Sequence, residues 1–281
     1  MQDLKSILTR HGFHFKKQFG QNFISDTNLL ESIVAASGID ENTTVVEIGC
    51  GAGTLTRALA EKAKKVYAFD VDTALQPVLA ETLAGLDNVE VIFRDFTKVN
   101  LPQLDEEIGE FTVVANLPYY ITTPLITKLL EESEKVQGIS IMVQEEVAER
   151  FCAKENTAEY GSITAAIALK GEAKIVKRVS RNLFYPRPNV DSAVVKITFD
   201  RGRVAVKSEK AYRQTVKCAF LNRRKTLENN LVNFFKLTRE QAKAVLSSAG
   251  IDEKARGETL SPQRLAALAD TLVDIGVLES K

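Results

Sequence analysis

The chain has 281 residues, 44% of them hydrophobic, with 37 basic and 37 acidic side chains and no formal net charge at pH 7. That length and balance predict a soluble globular protein with one large domain and a smaller one. No apolar run is long enough to span a membrane, and Met1–Leu8 lacks the apolar stretch of a signal peptide, so a cytoplasmic protein without membrane association is expected.

Cys50, Cys152 and Cys218 are far apart and odd in number, which fits a reducing cytosol and gives neither a disulfide framework nor zinc spacing. His11 and His14 are the only histidines and have no clustered cysteines or acids beside them, so they are expected at the surface and no metal site is predicted. Net neutrality argues mildly against a nucleic-acid partner. The distribution softens this, because acids crowd residues 131–159 and bases crowd residues 174–225, and a neutral protein can still present one basic face. An ordinary solvated surface is the alternative.

Residues 12–24 mix aromatics, bases and glycines without periodicity and read as an ordered arm. Asp26 is placed to cap a helix carrying Leu29, Leu30, Ile33 and Val34 on one face, closed by Gly38. Next, Thr44–Ile48 reads as a buried strand opening into Gly49-Cys50-Gly51-Ala52-Gly53, followed by a helix with Leu55, Leu59 and Ala63 inward. Glycines let a backbone pass close under a ligand. The G-x-G-x-G spacing does not satisfy the dinucleotide fingerprint. Glu47, just before the loop, would repel a pyrophosphate and suits a positively charged cofactor such as a sulfonium bearing an ammonium group.

The strand Lys65–Asp70 ends on an acid about twenty residues past the loop, where doubly wound folds hold ribose hydroxyls. Asp72 is an alternative bearer of that role, or a helix cap. A third strand, Val89–Phe93, leads into Arg94-Asp95-Phe96, and Asp95 is placed either to meet an adenine edge or to cap a turn.

The fourth strand end carries the chemistry. The run Phe111–Ala115 precedes Asn116-Leu117-Pro118-Tyr119-Tyr120, and a helix follows with Pro124 in its first turn. Open α/β sheets bind ligands at such carboxyl ends. An aromatic amine such as that of adenine is a poor nucleophile because its lone pair is delocalised into the ring. Acceptors for both amine hydrogens favour a pyramidal nitrogen aimed at an electrophile. The Asn116 side-chain oxygen and the Pro118 carbonyl supply two acceptors, and Tyr119 supplies a face for base stacking. Such a site works by positioning and needs no strong base. The alternative is a plain strand-to-helix turn with Asn as cap and Tyr as core.

Further on, a strand is expected at Gly138–Val143, an alanine-rich helix near Ile163–Leu169, and β-like runs at Ala173–Val179 and Ala193–Phe199. The last two flank a proline-stiffened connector, in which Phe184 is either a second wall of a base sandwich opposite Tyr119 or a core plug. Near Asp200–Arg203 strands give way to helices, expected at about 208–219, 222–234, 238–248 and 261–275. The domains are therefore expected to be 1–200 and 201–281. Arg223, Arg224 and Lys225 are candidates for phosphate contacts, or else a solvated helix face.

The stretches Gln18–Phe23, Glu47–Gly53, Arg94–Phe96, Asn116–Pro124, Phe184–Val195, Arg223–Leu231 and Ala255–Ser261 together resemble the KsgA-type family of small-subunit ribosomal RNA adenine dimethyltransferases, over essentially the whole chain. The resemblance implies a Rossmann-like class I methyltransferase sheet with a small all-helical C-terminal domain, and S-adenosylmethionine as methyl donor without a metal. It implies two methyl transfers to each of two adjacent adenosines in a hairpin loop near the 3′ end of 16S rRNA, within an assembling 30S subunit; a monomer is expected. By matched position, Asn22, the Ile24 backbone, Gly49, Asp70, Asp95 and Asn116 would meet the cofactor. Asn116, Pro118, Tyr119 and Phe184 would hold the target base. Many relatives carry Glu at the position of Asp70. The competing assignments are a large-subunit rRNA adenine dimethyltransferase of the antibiotic-resistance type, a non-catalytic ribosome-assembly factor and a DNA adenine methyltransferase.

Overall fold

Among the described residues the apolar runs become nine strands: β1 (Phe23–Ile24), β2 (Thr44–Ile48), β3 (Lys65–Asp70), β4 (Val89–Phe93), β5 (Phe111–Asn116), β6 (Val136–Gln144), β7 (Gly171–Val179), β8 (Phe184–Tyr185) and β9 (Ser192–Phe199). The computed structural model of the chain describes residues 4–16, 20–24, 26–200 and 202–279, and the side chain of Tyr119 lies outside the described set. By its internal contacts the chain forms two units, Met1–Ala148 with Lys174–Thr198, and Glu149–Ala173 with Phe199–Lys281.

Seven strands make one sheet in the order β4-β3-β2-β5-β6-β9-β7, and β1 pairs with β8 in a separate two-stranded ribbon. Strands β2 to β6 run parallel to one another, and β9 is antiparallel to β6. Parallel strands need crossover connections, and the helices Thr54–Ala60, Gln76–Thr82, Leu101–Ile108 and Thr122–Glu132 supply them. Val45, Val46, Val113 and Val114 are buried, as expected of strands covered on both faces. From β2 the chain steps outward through β3 and β4, then returns to the other side of β2 with β5 and β6. That reversal is a topological switch point, and it leaves a crevice at the carboxyl ends of β2 and β5.

Local chemistry sets the element ends. Asp26 accepts a hydrogen bond from the Leu29 backbone N–H at 2.7 Å and starts the helix Thr27–Ser37, which Gly38 ends in a left-handed conformation. Leu29, Leu30 and Ile33 of that helix join Leu55, Leu59, Leu75 and Val78 in one buried cluster against the sheet.

The second unit is helical apart from the strand segment it shares. Its helices Ser162–Lys170, Glu209–Ala219, Leu227–Phe235, Arg239–Ser248 and Pro262–Asp274 surround a core containing Tyr160, Tyr212, Leu231, Leu246, Leu265 and Leu268. The helix expected from 222 starts instead at Leu227, because the Thr226 side chain caps it and the Lys225 N–H bonds back to the Asn222 carbonyl in a turn. Arg223, Arg224 and Lys225 therefore sit on an exposed turn and not on a helix face. Buried Asn230 donates to the Ala219 carbonyl at 3.0 Å, and Gly257 packs against the same carbonyl, where an added Cβ would fall 2.1 Å from the oxygen.

Candidate active site

A cavity of about 520 Å³ opens at the switch point, lined by the ends of β2, β3, β4 and β5 and by Gly20–Phe23 of the N-terminal arm. This is the size of an ordinary small-molecule site.

The glycine loop forms its floor. The Gly49 and Cys50 N–H groups both bond to the Phe69 carbonyl, at 2.8 and 3.0 Å, which fastens the loop to the end of β3. Gly51 has φ +53°, and a Cβ there would lie 2.8 Å from the Phe23 ring, so both backbone conformation and packing require glycine. Behind the loop Glu47 is 1% exposed, and its Oε2 has no hydrogen-bond partner among the described residues. Burial pushes its carboxyl up to about 8, and the neighbouring Asp70 charge adds to the shift. Glu47 does not itself line the cavity, and at pH 7 its carboxyl mostly keeps its proton; a cationic ligand nearby would favour its ionised form, whereas a phosphate would disfavour it.

Asp70 lines the cavity. Its Oδ2 accepts from the Gly51 N–H at 2.8 Å and its Oδ1 from the Asp72 N–H at 2.9 Å. Burial raises its carboxyl pKa against the opposing pull of these backbone hydrogen bonds. Asp95 also lines the cavity, and its Oδ1 caps the turn Phe96–Lys98 by accepting from the Thr97 N–H and hydroxyl at 3.0 and 2.7 Å. Asp72 is buried, is not part of the lining, and caps the turn Thr73–Leu75.

Asn116 ends β5 and faces the arm. Its Nδ2 donates to the Asn22 backbone carbonyl at 2.9 Å. A carbonyl can only accept, so the amide is held with nitrogen toward the arm, leaving Oδ1 as its remaining acceptor. The Pro118 carbonyl accepts from the Ile121 N–H at 3.2 Å and, weakly, from the Thr122 hydroxyl at 3.4 Å. Tyr119 begins the short turn Tyr119–Ile121, and its ring lies outside the described residues.

The two remaining expected residues lie differently. Ile24 is buried in β1 and its carbonyl accepts from the Thr54 hydroxyl at 2.8 Å. Phe184 pairs with Ile24 across the ribbon, is 5% exposed, belongs to the buried cluster and does not line the cavity. Tyr120, 63% exposed, and Arg94 are among the lining residues that are not on the list of site residues expected from the sequence. Both adjoin residues that are, and only the wall they share marks them.

Residues 12–274 match the ribosomal RNA adenine dimethylase family. The chain belongs to that family. The protein is thus an rRNA adenine dimethyltransferase, as the family resemblance of its motifs implied. The chain is 47% identical over 279 residues to ribosomal RNA small subunit methyltransferase A of Geobacillus thermodenitrificans, covering 96% of this chain and 95% of that one. It is 48% identical over 276 residues to the protein of the same name from Shouchella clausii, covering 95% and 93%. Among solved structures it is similar to a dimethyladenosine transferase from Plasmodium falciparum, with TM-score 0.75 and 26% identity over 88% of this chain and 95% of that one. It is also similar to the 23S rRNA methyltransferase ErmE, with TM-score 0.68 and 27% identity over 89% and 99%. Family membership accords with the Rossmann-like sheet and C-terminal helices described above. No described helix is long and apolar enough to cross a membrane.

Proposed function

We propose that the protein dimethylates the N6 amines of two adjacent adenosines in a hairpin loop near the 3′ end of small-subunit rRNA, acting on the assembling 30S subunit as a cytoplasmic monomer. The observation that carries this reading is the Asn116 amide, oriented by the Asn22 carbonyl at the mouth of a cavity suited to a cationic nucleoside. The similarity to small-subunit methyltransferases at 47–48% identity, against 27% to the 23S enzyme, supports the choice of subunit.

S-adenosylmethionine supplies a methyl group made electrophilic by its sulfonium. The glycine loop and Glu47 suit its positive end, Asp70 its ribose and Asp95 its adenine, with Gly49 and Asn22 in contact and the Ile24 backbone behind them. Asn116 Oδ1 accepts one amine hydrogen of the target adenine. The Pro118 carbonyl accepts the other in place of its long Thr122 contact. This aims the nitrogen lone pair away from the ring and toward the methyl carbon. The methyl group would pass from the sulfonium to the nitrogen, leaving a neutral thioether, and the proton released from the nitrogen would go to water. In this reading Tyr119 stacks on the base, and Phe184 serves as its second wall after a shift out of the ribbon. In this reading the unit Met1–Ala148 with Lys174–Thr198 carries the catalysis, and residues 201–281 add basic groups such as Arg223 and Arg224 for RNA phosphates.

The test is methyl transfer from labelled S-adenosylmethionine to undermethylated small subunits, large subunits and duplex DNA in parallel, followed by nucleoside mass analysis. Dimethyladenosine in the small subunit alone is expected. Label in large-subunit RNA, or none with tight subunit binding, would replace this reading by one of its rivals.

A further inference from the structure

The orientation of Asn116 depends on a segment that has little sheet or helix to hold it. Asn22 follows Gly20 and Gln21 in the arm, and β1, its nearest regular structure, is two residues long. Besides the pairing of β1 with β8 and the ring contacts of Phe13, Phe15 and Phe23, a side chain just past the end of β3 holds the arm. Lys16 Nζ donates to Asp72 Oδ1 at 2.6 Å, and Gln21 Nε2 donates to Asp72 Oδ2 at 2.8 Å. Gln21 Oε1 in turn accepts from the Lys16 backbone N–H at 2.9 Å, so the two arm residues and the carboxylate close a ring of hydrogen bonds.

Asp72 is suited to this and to little else. Its side chain is 1% exposed, whereas Lys16 is 42% exposed. A carboxylate so far out of water keeps its charge only with good partners. Both oxygens are already engaged by the arm, and Oδ1 also takes the Ala74 N–H at 3.2 Å. It does not line the cavity, which argues against the ribose role open to it from the sequence. A turn cap alone would need one acceptor and no ammonium partner. Its backbone N–H meanwhile donates to Asp70, so the same residue touches the acid of the cofactor pocket and the arm that orients the amide.

We propose that Asp72 is a positioning residue for methyl transfer: through Lys16 and Gln21 it clamps the arm so that the Asn22 carbonyl holds the Asn116 amide with its oxygen toward the substrate amine. The inference rests on the reading of Asn116 as the amine acceptor. Released from the clamp, the Asn22 carbonyl has room to drift, and a displacement near 1 Å at a reacting group lowers rates by about 100-fold.

The experiment compares single-turnover methylation of small subunits with S-adenosylmethionine affinity by calorimetry, in Asp72→Asn, Gln21→Ala, Lys16→Met and Lys16→Arg, each also combined with Asn116→Ala. Asp72→Asn keeps the shape but removes the charge and sets an amide donor against one of the two arm donors. It should slow methyl transfer on the order of 10- to 100-fold, with cofactor affinity changed less than about threefold. Gln21→Ala guards against a folding defect at the buried acid and should show a smaller loss of the same kind. Lys16→Met should slow the step and Lys16→Arg restore it, since arginine keeps the ion pair. In the Asn116→Ala background the clamp substitutions should have no further effect. If Asn116→Ala alone leaves the rate unchanged, the reading of the site fails. If Asn116→Ala collapses the rate but the clamp variants lose cofactor affinity instead of rate, or lose rate equally in both backgrounds, the clamp is overturned while the site stands.

Discussion

Asn116 Nδ2 lies 2.9 Å from the backbone oxygen of Asn22, a residue 94 positions earlier in the chain. The contact decides which end of the amide faces the cavity, and with it whether the site offers an acceptor or a donor to an incoming amine. On the proposed mechanism, binding the adenine and activating its amine are separable, the first served by the cavity walls and the second by the Asn116 oxygen with the Pro118 carbonyl.

Asn116→Ala removes that acceptor while leaving the cavity intact. Turnover should fall on the order of 100-fold or more, the scale seen when one preorganised polar group is lost from a reaction centre. Cofactor affinity should change far less. Single-turnover rates beside calorimetric titration separate the two, and an unchanged rate would sink the proposed chemistry.

Asp70→Ala should act on the opposite quantity. The substitution removes the proposed ribose acceptor and frees the Gly51 and Asp72 N–H groups that the carboxylate now holds. Losing hydrogen bonds to a charged group costs roughly 1.5–3 kcal/mol, so cofactor Kd should rise about 10- to 100-fold. Because burial raises the Asp70 pKa, affinity in the wild type should also begin to fall at a higher pH than for an ordinary aspartate as acid is added. Calorimetry across acidic pH tests both points, and unaltered affinity in the variant would remove Asp70 from the cofactor site.

Glu47 makes stability depend on pH in an unusual direction. Its folded pKa is raised from 4.5 to about 8, so between those values the folded protein keeps a proton that the unfolded chain has released. Stability from this residue is complete below pH 4.5 and declines as pH rises, by up to about 1.4 kcal/mol per pH unit, until the folded group ionises. Glu47→Gln should abolish that contribution, so the variant should gain on the wild type as pH is raised from 5 to 8. Denaturant melts of both proteins across that range measure the difference, and parallel pH profiles would show that Glu47 is ionised in the fold.

Gly257→Ala tests the second unit. The new methyl would sit 2.1 Å from the Ala219 oxygen and 2.6 Å from its carbonyl carbon, so backbone must move on one side or the other. The same carbonyl accepts from buried Asn230, which resists the shift. Overpacking of this kind costs about 1–3 kcal/mol or more, which calorimetry should record as a melting point several degrees lower. An unchanged melting point would mean that this contact has slack.

Much of the architecture is legible from short stretches. Val45 and Val46 within Thr44–Ile48 announce a covered strand, and the glycines after it announce a close backbone turn, because both depend on residues within a few positions. Asp26 and Gly38 mark the ends of their helix for the same reason. The start of the helix at Leu227 was less legible. Thr226 and the preceding basic run both accommodate a helix start, and only the turn closed by the Asn222 carbonyl chooses between them.

The sequence by itself determined the order of strand ends, the glycine floor, the acids Glu47, Asp70 and Asp95 and the position of Asn116, and through its motifs the family. These follow from periodicity and local backbone preference, which act over a turn or a strand. Only the tertiary structure decided that Asp72 holds the arm and does not line the cavity, that Phe184 is buried against Ile24, and that the Asn116 amide points its nitrogen at Asn22. Each of those pairings joins residues dozens of positions apart, and no local preference encodes them. They exist because the sheet topology brings distant stretches of chain together, where burial favours apolar contact and partners for most polar groups.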